Sequence, residues 1–307
     1  MDTKYTKIIF QEWERNEIEF TTTVTMSKAT EKDFNRLLTC INTTHQQLGK
    51  KTIYKLRLND NLNKVDNFEI MLLVKMPKDI FVEVESSFGN VEMFDAVNDF
   101  KADISFANLH VENLLGSKNS IELKHGKLRA GNVNQLSLNV QFSQVNIDEA
   151  GLLILNTRFS TLKIDRAKSI ELTSAHDNVS IRNSVDKIEG TAEFGTFKIG
   201  TLRYSCVFTK FSFSKITIDK ILESFTNISF VSAHSTIDLN IPQDQSFAFD
   251  YSGSFTDFKD EKVRWNYATF EAGNNSLQIS GFYGSHQNSG KSVKIRASFG
   301  SVSLFGR

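Results

Sequence analysis

The sequence predicts an all-β fold: a single-stranded β-solenoid, or parallel β-helix, with about 17 to 19 residues per coil behind a small N-terminal β-rich cap that holds one helix. Three observations carry this. One large ring-bearing residue recurs at Phe88, Phe106, His125, Phe142, Phe159, His176, Phe194, Phe213, His234 and Tyr251, at steps of 18, 19, 17, 17, 17, 18, 19, 21 and 17 residues. Positions six and four before most rings are apolar, as are most of those three, five and eight after. Phe occurs 26 times and Pro only at Pro77 and Pro242, a balance that suits a β-rich interior. A fixed period with one inward pattern means units that bury their apolar sides by stacking on their neighbours. Right-handed winding is the default for parallel crossovers.

The N-terminal part, residues 1–79, is expected to form the cap. Ile8 to Phe10 and Ile18 to Met26 alternate apolar and polar residues, and read as a strand pair turning near Asn16. Thr30 with Asp33 resembles a helix start, and Phe34, Leu37, Leu38 and Ile41 then share one face of a helix over about residues 30–43. Ile53 to Leu58 and Phe68 to Met76 read as further strands that cover the first coil.

Repeats are expected over residues 80–255. Both prolines stand in an apolar-Pro-x-Asp context, Met76-Pro77-Lys78-Asp79 and Ile241-Pro242-Gln243-Asp244, which places them at strand ends because proline cannot donate to a ladder. Inward and outward residues alternate up to each ring, so parity puts the rings in the core. The corner then falls at the small residue that follows: Gly89, Ala107, Gly126, Ser143, Ser160, Gly195, Ser214 and Ser235. Ala96, Leu114, Val133, Ala150, Ala167, Leu202 and Ile221 supply a third inward face. The period lapses over 256–290 and returns at Val293 to Leu304, so residues 256–307 read as an irregular insertion or cap plus a final coil.

Lys plus Arg and Asp plus Glu both number 36, so no overall field draws in nucleic acid. Cys40 and Cys206 stand too far apart in sequence for a zinc-ligand spacing and read as free thiols. No apolar run approaches the length of a membrane span, and Met1 to Phe10 contains only three consecutive apolar residues. A chain starting at Met1 is therefore expected to stay in the cytoplasm. An extracytoplasmic location requires a leader that has been trimmed.

Candidate sites are sparse. Glu83, Asp103 and Glu122 are expected to share one column of adjacent coils, the weak candidates for a cation, with Glu171 and Glu189 paired further on. Asp148 and Asp165, with Asp219, form a second column that could serve a polysaccharide-acting hydrolase or lyase. The ordinary reading of both columns is turn-forming Asp and solvated Glu. His125, His176 and His234 are too far apart to share a metal. Outward columns carry almost no rings, Phe94 and Phe208 excepted, which leaves Trp265, Tyr267 and Tyr283 as the candidate ligand-binding residues. No catalytic residue, cofactor or metal is expected.

Ser87-Phe88-Gly89, Ser298-Phe299-Gly300, the Met-Pro-Lys-Asp entry, Trp13 to Glu17 and the ending Gly300-Ser301-Val302-Ser303-Leu304 together resemble the bacterial adhesin-type β-solenoids known as head GIN domains. The resemblance spans nearly the whole chain. It implies a non-enzymatic protein of the cell envelope or surface, offering a rigid scaffold to a protein or glycan ligand.

Overall fold

Strands follow one another along the whole chain in the computed structural model, which describes residues 1–59, 67–243, 245–262, 265–284 and 290–306, with the backbone alone at 96, 97, 267 and 268. The fold is all-β, with one helix among the described residues. Two units are distinguished, Met1–Gln144 and Val145–Arg307.

In the first unit, β1 (Asp2–Lys4), β2 (Thr6–Glu12), β3 (Glu19–Met26), α1 (Glu31–Cys40), β4 (Ile41–Leu48), β5 (Lys51–Leu58) and β6 (Phe68–Met76) come first. The helix starts where its capping box predicts: the Asp33 N–H donates to Thr30 Oγ1 at 3.3 Å, and the Thr30 N–H donates back to Asp33 Oδ2 at 3.1 Å. It ends sooner than expected, because the β-branched Ile41 is already extended and opens β4. Leu37 and Cys40 are buried, whereas Leu38 points to solvent, so the buried stripe is narrower than the sequence suggests. The expected pairing of β2 with β3 does not form. Instead β6 lies between them, parallel to β2 and antiparallel to β3.

There follow β7 (Val82–Ser87), β8 (Val91–Val97), β9 (Phe100–Ser105), β10 (Asn108–Leu114), β11 (Asn119–Lys124) and β12 (Lys127–Gln141). Two parallel sets result. In one, Val84 pairs with Ala102, Ala102 with Ile121 and Ile121 with Leu138, offsets of 18, 19 and 17 residues that equal the spacing of the rings. In the other, Ile8 pairs with Val91, Val91 with Leu109 and Leu109 with Leu128. All of these side chains except that of Ala102 are almost completely withdrawn from water, and Ala102 is nearly so. Each large one contributes roughly 1.5 to 3 kcal/mol.

The second unit contains β13 (Gln144–Arg158) from its second residue on, then β14 (Thr161–Ala175), β15 (Asn178–Glu193), β16 (Thr196–Ser212), β17 (Lys215–Ile221), β18 (Asn227–Ala233), β19 (Thr236–Ile241), β20 (Phe247–Glu261), β21 (Trp265–Ala272), β22 (Ser276–Tyr283) and β23 (Ser292–Gly306). Parallel pairing continues from β14 through β15 to β16, then on to β17 and β18. The last strand departs from chain order. Val293 to Leu304 lies within β23, which inserts between earlier strands: it pairs with β18 and β19 on one side and with β20 on the other. Residues 256–290 contribute β21 and β22, an antiparallel pair whose second strand, β22, lies between β21 and the first half of β20 and is antiparallel to both.

Strands β6 and β19 end at Met76 and Ile241, immediately before Pro77 and Pro242. Asp244 lies outside the described residues. Leu114, Val133, Ala150, Ala167, Leu202 and Ile221 are all buried, and the side chain of Ala96 is not described.

Candidate functional site

The recurring rings lie outside the core, contrary to the expectation from parity. Every one from Phe88 to His234, together with Tyr5, Phe255 and Phe299, has a positive φ between 51° and 60°. A left-handed residue breaks the two-residue alternation of a strand, so its Cβ swings outward where an extended residue would point in. The inward position passes to the next residue: Ala107, Ser143, Ser160, Ser214 and Ser235 are buried. The corner therefore lies at the ring itself, one residue earlier than the small residue suggests. Tyr251 is not a rung. It is buried, and Phe255 takes the corner four residues later.

The rings stack face to face. In the first unit Tyr5, Phe88, Phe106, His125 and Phe142 follow one another at 5.0, 5.1, 4.8 and 5.1 Å between centroids. In the second, Phe159, His176, Phe194, Phe213, His234, Phe299 and Phe255 follow at 4.6, 4.8, 4.9, 4.7, 4.9 and 5.1 Å, with planes within 8° of parallel. Tyr5 and the Phe rungs are 42% to 55% exposed, because neighbours cover their faces and leave their edges to solvent.

Hydrogen bonds fix most of the corners. The ring residue's N–H donates to the carbonyl just before the next rung, as from Phe106 to Lys124 at 2.9 Å and from Phe194 to Ser212 at 3.0 Å. Beneath the rings, Gly195 N–H donates to Ser214 Oγ at 3.0 Å and Ser214 N–H to Ser235 Oγ at 3.2 Å. After His176 the small residue is replaced by Asp177, which the sequence reading passed over. Its buried carboxylate accepts from Thr157 Oγ1 at 2.7 Å, Ser174 Oγ at 2.6 Å, Ser160 N–H at 2.7 Å and Ala175 N–H at 3.0 Å. The signal available in the sequence was an Asp in a slot otherwise held by Gly, Ala or Ser.

The acidic columns differ from expectation in register. Asp103 stands beside Glu122 on one side and Glu85 on the other, while Glu83 faces Lys101. Glu83 pairs with Lys101 at 2.8 Å, and that hydrogen bond holds its carboxyl below the usual range while raising the lysine. Glu122 pairs with Lys124 at 2.6 Å, which raises that lysine likewise. Asp103 and Glu122 therefore do share a column, from which Glu83 is displaced by two residues, and both Glu83 and Glu122 are paired with a lysine at the surface. Among the described residues no group of three His, Cys, Asp or Glu could hold a metal ion. Glu171 does pair with Glu189. Asp165 accepts from Asn183 Nδ2 at 2.8 Å and lies 3.4 Å from Arg182, Asp219 is paired with Lys198 at 3.3 Å, and Asp148 is exposed.

Of the three candidate ligand-binding rings, Tyr283 is fully buried against Phe247, with its hydroxyl donating to the Gln243 carbonyl at 3.1 Å. Trp265 is half-buried; its Nε1 donates to Asp260 at 2.8 Å and its ring lies 5.1 Å from Phe249. Tyr267 pairs through its backbone with Phe282, and its side chain lies outside the described residues. Phe94 is exposed as expected, but Phe208 is in the core, stacked on Phe230 at 5.6 Å. Both cysteines are buried free thiols, and burial pushes that of Cys206 strongly up. No described helix is long and apolar enough to cross a membrane.

No protein-family model matches the chain, and no curated protein matches it. A solved structure described as a "putative cell adhesion protein" from Clostridium sporogenes ATCC 15579 aligns over 100% of this chain and 91% of its own, at 8% identity and a TM-score of 0.19, a likeness too weak to carry an argument about fold or function.

Proposed function

We propose that this chain is a β-solenoid that serves as a non-enzymatic binding scaffold, with its ring ladders as contact surfaces for a partner protein. The observation that carries this is the exposure of the rings. A purely structural corner at positive φ is served at lower strain by Gly or Asn, yet Phe, His or Tyr occupies the corner in repeat after repeat. Sugars stack on ring faces, and these faces are covered by neighbouring rungs, so the edges suit an apolar protein surface. Rows of exposed apolar side chains in a monomer mark interaction sites. The likeness to head GIN domains points the same way and suggests an extracytoplasmic setting at the cell envelope.

The test replaces Phe194 and Phe213 together by Asn, which tolerates the left-handed corner. Retention of the protein on immobilised whole cells of its source is then compared with that of the wild type. Unchanged circular dichroism with lost retention supports the proposal; equal retention ends it. A polysaccharide-acting enzyme is the second reading, favoured by the acidic side chains of Asp148 and Asp165. Turnover of any member of a polysaccharide panel that Asp148→Asn or Asp165→Asn abolishes would establish it in place of the scaffold.

A further inference from the structure

The second unit carries a groove of about 720 Å³ that lies apart from the ring ladder, on the outer face of the sheet formed by β16, β18, β23, β20, β22 and β21. Register places its lining in rows. Ser229 stands beside Lys294, Lys294 beside Asp250, Asp250 beside Ser280 and Ser280 beside Thr269. Next to it runs a second row through Asn227, Ser292, Ala248 and Phe282. Neighbours within a row are about 4.8 Å apart. Small side chains along the floor, with Gly281 among them, leave the depression, and its volume falls in the range of sites for small molecules.

The chemistry of this lining narrows the occupant. In the middle of the groove β18, β23, β20 and β22 each have a strand on both sides, so a peptide cannot be added through backbone pairing. A ligand meets side chains alone. Those are hydroxyls and an amide set among the apolar Val207, Ala248, Phe249 and Val293, with one acid and one base that cancel: Lys294 and Asp250 are paired at 3.2 Å. A charged ligand finds no net counter-charge there, and a purely apolar one leaves the polar groups unpaired. Ser292 Oγ already donates to Asn227 at 3.2 Å, which orients the amide. Half-buried Phe282 beside Ala248 adds a short apolar wall.

We infer that this groove binds a neutral oligosaccharide, whose hydroxyls exchange hydrogen bonds with the serines, Asn227 and the Asp250–Lys294 pair while one apolar sugar face lies against Phe282. The inference is independent of the ring ladder. It is tested by titrating the full chain with maltohexaose, cellohexaose and chitohexaose, and with oligogalacturonate and chitosan oligomers as charged comparators, using calorimetry and amide chemical shifts. At least one neutral oligomer should saturate the protein and shift amides of β18, β20, β22 and β23. Ser280→Trp, which fills the groove from an exposed position, should weaken that binding by about tenfold or more. Thr269→Trp supplies a second plug should the first variant misfold. The Phe194→Asn/Phe213→Asn protein should bind the sugar as the wild type does, which separates this site from the ladder. Saturation by none of the neutral oligomers, tighter binding of a charged comparator, or indifference to both plugs overturns the inference.

Discussion

At the scale of the residue, the ring corners combine a strained backbone with a favourable stack. A left-handed conformation costs a non-glycine residue roughly 1 to 2 kcal/mol, and each stacked pair returns roughly 0.5 to 1.5 kcal/mol beyond the area it covers. Phe194 sits between His176 at 4.8 Å and Phe213 at 4.9 Å, about half exposed. Phe194→Ala keeps the strain and loses the stack, so equilibrium denaturation should show a loss of about 2 kcal/mol. Phe194→Gly also loses the stack but relieves the strain, and should be less destabilised than the Ala variant by about 1 kcal/mol. For a ring in the core the order would be reversed and the losses nearer roughly 3 to 5 kcal/mol. Measuring both variants therefore discriminates between the two placements.

At the scale of the element, buried hydrogen bonds and caps decide where a strand turns or a helix begins. Asp177 gathers four donors at one corner, and removing it as Asp177→Ala leaves buried groups without their acceptor, an expected loss of about 3 kcal/mol. Asp177→Ser restores the residue type found at Ser160 and Ser214, and its loss in a urea titration should be markedly smaller than that of the Ala variant. Asp33 gives a prediction in pH. Hydrogen bonds from the Thr30 side chain and backbone hold its carboxyl below the ordinary value of 3.8. A depressed carboxylate contributes stability that is fully present above the unfolded value and disappears as pH falls through the folded one. The melting temperatures of wild type and Asp33→Ala should thus differ at neutral pH and converge only once pH drops below 3.8. A difference that persists unchanged in stronger acid would exclude the cap as its source. The capping box was legible in Thr30 and Asp33, whereas the placement of β6 between β2 and β3 was not, since strand alternation names faces and leaves partners open.

At the scale of the whole molecule, β23 holds the end of the second unit together. It bridges β18 and β19 to β20, strands from which it is separated by dozens of residues. A chain ending at residue 290 exposes both of those edges, and β20 to β22 lose their mount. Hydrogen exchange on that truncated chain should find amides of β20 to β22 unprotected while those of β14 and β15 remain slow, because strands stacked in sequence depend chiefly on their neighbours. Protection lost evenly across the second unit would refute this. The period in Val293 to Leu304 was visible as a repeat. Its place in the stack was not, because equal spacing fits any free edge of the same pattern.

Period, apolar columns and the helix cap follow from local chemistry, and the sequence by itself determined them: the ring steps equal the pairing offsets in β7, β9, β11 and β12, although the corners lie one residue before the small residues that marked them. The sign of φ at the rings, the insertion of β23 and the rows of small polar side chains that form the groove were decided only in the tertiary structure. Alternation assumes extended residues, and a ring that turns left-handed reverses its own direction without changing the letters around it. Register across strands brought together by a non-sequential insertion is likewise a property of contacts between distant segments, which no local pattern encodes.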